Sequence, residues 1–113
     1  MSAPTLYPSG VAMEQAMLRV FEGMRAEEVR LGDFQIFTAE NLFCVCVFYR
    51  EDVDIERYAR DGTTEEVKWR FLDRLLASRE QFSFLELPAV DFRFDSQENL
   101  DKNYHGSYYL YLR

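Results

Sequence analysis

His105 is the chain's one histidine, and it stands close in sequence to Asp95, Asp101 and Tyr104. An imidazole titrates near neutral pH. With a carboxylate to orient it and a phenol beside it, it is the minimal equipment for general acid–base work. These four residues are therefore the catalytic candidates if the protein is an enzyme. The competing reading is simpler: a single His before Gly106 in a polar stretch is usually an exposed turn residue.

Just upstream, Asp91, Arg93 and Asp95 alternate with Phe92 and Phe94, so the three charges share one strand face. Two carboxylates so placed could hold a divalent cation. Arg93 lies between them, however, and an internal cation is their ordinary partner, so a solvated charge ladder is expected. Asp95 to Asp101 brings oxygen ligands together as a calcium loop does. It lacks the central glycine and the terminal bidentate Glu of the EF-hand. Ser96 followed by Asn99-Leu100 reads instead as a cap opening a single helical turn.

The two cysteines, Cys44 and Cys46, are i and i+2 on an apolar stretch. On a strand they point to one face roughly 6.5–7 Å apart, too far for an unstrained disulfide. Reduced, buried and inert thiols are the expectation. Glu66-Val67-Lys68 matches the Glu-x-Lys element of some metal-dependent nucleases, but it falls in the first turn of a predicted helix in an acidic chain and is discounted. Glycine-rich phosphate cradles and zinc spacings are absent from the sequence, and no cofactor or metal is expected.

The elements that must position these residues are organised around Leu42-Phe43-Cys44-Val45-Cys46-Val47-Phe48-Tyr49, eight uncharged residues between Glu40-Asn41 and Arg50-Glu51-Asp52. So short an apolar run, rich in β-branched and aromatic side chains, reads as a strand buried on both faces. It needs a layer above and a layer below. Residues 1–10, with Pro4, Pro8 and Gly10, read as an N-terminal arm, and 11–113 as one domain. Ser9 is placed to cap a helix whose Met13, Met17, Val20, Phe21 and Met24 form one apolar stripe. Phe34 to Thr38 reads as a strand that forms a hairpin with the central one through Ala39-Glu40-Asn41.

Arg50 to Gly62 is densely charged and reads as a recognition loop with about one helical turn. Thr63 with Glu66 has capping-box spacing and opens a second helix whose stripe is Val67, Phe71, Leu72, Leu75 and Leu76, with Trp69 off its centre. Strands are then expected at 82–87, at 90–95 and at 107–113. The expected fold is α+β, a single domain in the order α-β-β-α-β-β-β. Its sheet is mainly antiparallel, with two helices packed on it. A curled sheet or a partner subunit covers the other face, and the C-terminal edge strand and the Met stripe each offer a way to close a homodimer.

The 113 residues suit one domain, and 48% hydrophobic content with 16% aromatics supplies a core. A net charge of −7 and a pI near 4.7 oppose phosphate backbones and anionic membranes, so neither nucleic acid nor a membrane is an expected partner. With reduced cysteines, no leader-like N-terminus and no apolar run near ~20 residues, a cytoplasmic location is expected.

The favoured reading is a binding module whose acidic, Tyr-bearing surface meets a basic protein. The residues assigned to that surface are Asp52, Asp54, Glu56, Tyr58, Asp61, Tyr104 and Tyr108. An immunity-protein or antitoxin-type inhibitor is the concrete version. A secretion-chaperone-like dimer and a small enzyme or ligand-binding domain using the loop around His105 are the alternatives.

Overall fold

The apolar stretch that organises the sequence is the middle strand of three. The computed structural model describes residues 7–39 and 42–112, the latter including all of β2 (Leu42–Tyr49), which lies between β1 (Leu31–Ala39) and β3 (Ala89–Ser96). Its odd residues Phe43, Val45, Val47 and Tyr49 enter one core cluster, and Cys46 and Phe48 enter another on the opposite face. Period-two alternation with both faces buried is the reason the segment shows no polar positions.

The first face is covered by α1 (Gly10–Ala26) and α3 (Thr63–Ala77). From α1 come Met13, Met17, Val20, Phe21 and Met24, all buried, and from α3 Val67, Phe71 and Leu75. The Met stripe is thus core. Ser9 caps α1 as expected, its Oγ accepting the Ala12 N–H at 3.2 Å. Arg70 of α3 ties the two helices, donating to Glu27 just beyond α1 and to Glu66. Residues 1–6 of the expected arm lie outside the described residues. Pro8 is buried and Tyr7 packs on the first cluster.

The second face is covered neither by a curled sheet nor by a partner, but by two short C-terminal helices, α4 (Gln97–Tyr104) and α5 (Tyr108–Tyr111). Leu100 is buried there, and the Phe48 ring meets those of Tyr108 and Tyr111 at centroid distances of 5.3 and 5.2 Å. The expected edge strand at 107–113 is therefore helical over 108–111. Tyr104, Tyr108 and Tyr111 recur at i, i+4 and i+7 and share one cluster, a helical period that outweighs the apparent alternation of Tyr109 and Tyr111. Ser107 starts the turn, accepting the Leu110 N–H.

Two other expectations are corrected. The charged stretch after β2 holds a real helix, α2 (Asp52–Arg60), where a loop was expected. Residues 82–87 form no strand among the described residues. Phe82 and Phe84 N–H groups bond back to Ser78 and Arg79, Ser83 turns left-handed at φ 56°, and buried Phe84 makes a single isolated bridge instead of a strand. The element order is α-β-β-α-α-β-α-α, a single α+β domain with a mixed sheet.

The hairpin β1–β2 is antiparallel as expected, with Ala39 opposite Leu42; the linking residues 40 and 41 are outside the described ones. β2 and β3 run parallel, Leu42 beside Ala89 and Tyr49 beside Ser96. Parallel neighbours need a long crossover. Here α2 and α3 provide it, which is why the sheet is not mainly antiparallel.

β1 carries an irregularity between Leu31 and Asp33, at Gly32. A Cβ there would meet Gln97 Oε1 at 2.8 Å and the Phe48 carbonyl oxygen at 3.0 Å. Gln97 opens α4, so this contact seats the C-terminal layer on the sheet. Gly32→Ala is expected to lower stability by about 1–3 kcal/mol, the usual cost of overpacking. Urea unfolding reads the loss, and a change under about 0.5 kcal/mol, the range of an ordinary surface substitution, would refute the account.

Candidate functional site

Two parallel strands discharge their chains at one edge of the sheet, and α2 and α4 both begin there. In open α/β sheets ligands bind outside such carboxyl ends, and six acids stand at this end: Glu51, Asp52, Asp54, Asp95, Glu98 and, one turn on, Asp101. Most of them are occupied. The two helices cap one another. Buried Ser96, the N-cap of α4, accepts the Asn99 N–H at 2.9 Å and donates its own proton to the Asp52 carboxylate of α2. Glu98 of α4 in turn accepts the Asp52 N–H at 2.9 Å, and its own N–H bonds the Arg50 carbonyl at 3.1 Å.

A second joint lies beside it. Arg30, between α1 and β1, donates from Nε to Asp54 at 3.2 Å and from Nη2 to Glu51 at 2.7 Å, while its backbone N–H reaches the Tyr58 hydroxyl at 3.0 Å. Glu51 and Asp54 also form the capping box of α2. The attraction of Glu51 and then of Asp54 holds the Arg30 guanidinium above its ordinary pKa.

The expected acidic surface is therefore partly internal. Asp54 and Tyr58 are buried at 1% and 5% exposure and face the protein, not a partner. Reversing the charge of Asp54 would test folding. Asp52 is exposed as a residue, but its carboxylate receives the Ser96 proton. Glu56 is exposed and paired with Arg60. Asp61 is exposed; the Thr63 hydroxyl and then the Thr63 N–H, which it accepts at 2.9 Å, lower its pKa, and with left-handed Gly62 as N-cap it opens α3 in place of the expected Thr63 cap. Tyr104 and Tyr108 are half-buried in the C-terminal layer. The Tyr104 ring stands edge-on to Tyr111, and the Tyr108 hydroxyl donates to Asp33 at 2.9 Å.

The catalytic candidates gather around α4 in differing roles. His105 is exposed and closes α4 as a left-handed C-cap at φ 53°. Asp101 is exposed. Asp95 is held by both of its oxygens, each 3.1 Å from Asn99 Nδ2, by the Ser96 N–H and by the Tyr111 hydroxyl. The stretch read as calcium-like is strand end and helix, with Ser96 as the cap that its sequence suggests. Asp91 lies 3.5 Å from Arg93, the expected pair, and 3.9 Å from the Cys44 sulfur. Cys44 and Cys46 are free and buried, and burial pushes the Cys46 thiol up. Among the described residues no three or more His, Cys, Asp or Glu side chains are gathered to hold a metal ion. No helix there is long and apolar enough to cross a membrane.

What lies outermost is apolar. Trp69 is 63% exposed on α3, and Leu76, one heptad on, is 43% exposed. Asp73 lies between them on α3 and Glu80 follows in the turn beyond the helix, both exposed. The signal for this stripe was Trp69 itself, displaced from the buried face of the helix. Val53, 65% exposed, stands on the outer side of α2 beside Glu56. No family model, curated protein or solved structure matches the chain.

Two outcomes are expected from this geometry. Arg30→Ala leaves the buried Asp54 carboxylate without its cation and should cost about 1–3 kcal/mol, less than a fully buried pair because Arg30 is itself half-exposed. An unchanged urea midpoint would exclude that role. Tyr49, fully buried, shares a 2.7 Å hydrogen bond with Thr64, and burial pushes its phenol up to about 12. The unfolded phenol ionises near its ordinary value. Stability from Tyr49 is thus complete below about pH 10 and is lost as pH rises toward 12, by about 1 kcal/mol at pH 11. Unfolding at pH 8 and pH 11 measures the fall. In Tyr49→Phe it should shrink by that amount, and an equally steep fall would remove Tyr49 as its source.

Proposed function

We propose that this protein works by binding another protein, a basic one, through the outer face of α3 and the acidic groups around it. The observation that carries the reading is the exposed Trp69 with Leu76 at i+7, Asp73 lying between them without an ionic partner among the described residues. Tryptophan is the residue most enriched among interface hot spots, and an apolar centre rimmed by charge is the anatomy of specific interfaces. A net charge of −7 speeds and orients the approach of a cationic partner. Asp52, Glu56 and Asp61 are the exposed acids of that surface on the α2 side, with exposed Val53 beside Glu56.

The concrete form is an inhibitor of the immunity or antitoxin kind, covering the active face of a basic toxin. Such a role needs a rigid, charged, apolar-centred face and no catalytic group of its own. Two buried free thiols suit a reducing, cytoplasmic setting. The alternatives, a chaperone-like dimer and an enzyme built on His105, have no comparable observation behind them.

The test is affinity capture from the source cell's lysate with wild type and Trp69→Ala at low and high salt. One basic protein retained by wild type, shed at high salt and bound at least about 30-fold more weakly by Trp69→Ala is the expected result. Equal retention by both forms would sink the assignment to α3.

A further inference from the structure

We infer that the outer edge of β1 is a second docking site, which takes an extended segment of alternating apolar and basic residues as a fourth strand. This rests on the reading of the protein as a binder of basic partners and adds a place and a mode of recognition.

The two edges of the sheet are treated differently. β3 carries Asp91, Arg93 and Asp95 among its eight residues, the charged guard typical of a protected edge. β1 carries one charge in nine, Asp33. No described residue pairs with its outer side, and β1 is the end strand of the sheet. Only the start of that edge is satisfied. The Gly32 carbonyl accepts from Arg25 Nη2 at 2.7 Å, and the Phe34 N–H bonds Asp33 Oδ1 at 2.8 Å. Both groups point away from β2. Antiparallel pairing alternates inward and outward residues, so Ile36 follows Phe34 in turning its N–H and carbonyl outward. Among the described residues nothing bonds the outward N–H and carbonyl of Ile36, which leaves them available for strand pairing.

Beside them runs a groove between β1 and α1. Val11 and Leu18 line it from the helix, 62% and 40% exposed, and Phe34 and Ile36 from the strand. An added strand places every second side chain toward these residues. The groove's charged members are Glu14 and Asp33. Glu14 has no ionic partner among the described residues. Charge therefore selects the occupant. A second copy joined by a two-fold axis at β1 would bring Glu14 toward its own equivalent in a molecule of net charge −7, whereas a Lys- or Arg-bearing segment meets carboxylates.

Random peptides displayed on phage and selected on the full folded chain provide the test. Recovered peptides are expected to alternate apolar residues with Lys or Arg. A synthetic copy of one should slow hydrogen exchange at the Ile36 amide at least about tenfold, as a new ladder bond does. Glu14→Lys and Val11→Lys, both on exposed helix surface, should weaken that peptide at least about fivefold, and Trp69→Ala should leave it within about twofold. Peptides without that pattern, no enrichment, or an unprotected Ile36 amide would overturn the edge proposal. Loss of binding in Trp69→Ala alone would overturn it too while keeping the broader reading. A concentration-dependent dimer that protects Ile36 without peptide would give the edge to a second copy and likewise refute it. Failure of both selection and lysate capture would sink the two readings together.

Discussion

Everything in this fold follows from the need to bury β2 on both faces. A 113-residue chain has little material for two covering layers, and the residues of β2 leave no polar position on either side. One layer is ordinary: two amphipathic helices give their apolar stripes to Phe43, Val45, Val47 and Tyr49. The other is made from 15 residues at the C-terminus, in two helices of 8 and 4 residues, where tyrosines do the covering. Aromatic rings bury large areas from few positions, so a short segment can close a face that would otherwise need a long helix. The close approach of Gly32 to Gln97 is the geometric condition for that closure.

The same constraint explains where the acidic residues go. With β2 and β3 parallel, α2 and α4 start side by side, and their N-terminal N–H groups need acceptors. Glu98 provides one across the gap and Asp54 another within α2, while Ser96 caps α4 and donates to Asp52, with Arg30 as the counter-charge. A carboxylate count alone cannot separate these joints from a recognition surface. The distinction lies in pairing, which arises between elements far apart in sequence: Arg30 with Glu51, and Asp52 with Ser96.

This is the boundary between what was legible and what was not. The helix at 10–26, the hairpin, the two-faced central strand, the third helix and the half-buried strand at 89–96 all have local periodic signatures, and all formed where those signatures lie. The errors came where two periods compete over a short stretch. Phe82, Phe84, Leu85 and Leu87 crowd a short apolar run that reads like a strand, but the chain is still unwinding from α3 and inserts Phe84 as a plug. The C-terminal tyrosines satisfy both a strand and a helical spacing, and the face of β2 that needs covering decides for the helix. Among site residues, Glu56 and Asp61 stay on the surface as expected. Asp54 and Tyr58 turn inward because Arg30, 24 and 28 residues away, is there to receive them.

The position of the free surfaces also has a physical cause. In a doubly wound sheet the carboxyl ends of parallel strands open into a crevice where the strand order reverses. Here β2 has a parallel neighbour on one side only and an antiparallel hairpin on the other, so no such reversal occurs. The helix N-termini that would receive an anion are already met by the protein's own acceptors, carboxylates at α2 and the Ser96 hydroxyl and Arg50 carbonyl at α4. An acidic, self-capped end suits neither a phosphate nor a nucleotide. The proposed recognition falls on the flanks: the outward stripe of α3, where Trp69 is exposed, and the outer edge of β1, the end strand of the sheet. Both are apolar surfaces set among carboxylates, so the two features that the proposed partner would answer, hydrophobic area and negative charge, occur together on each.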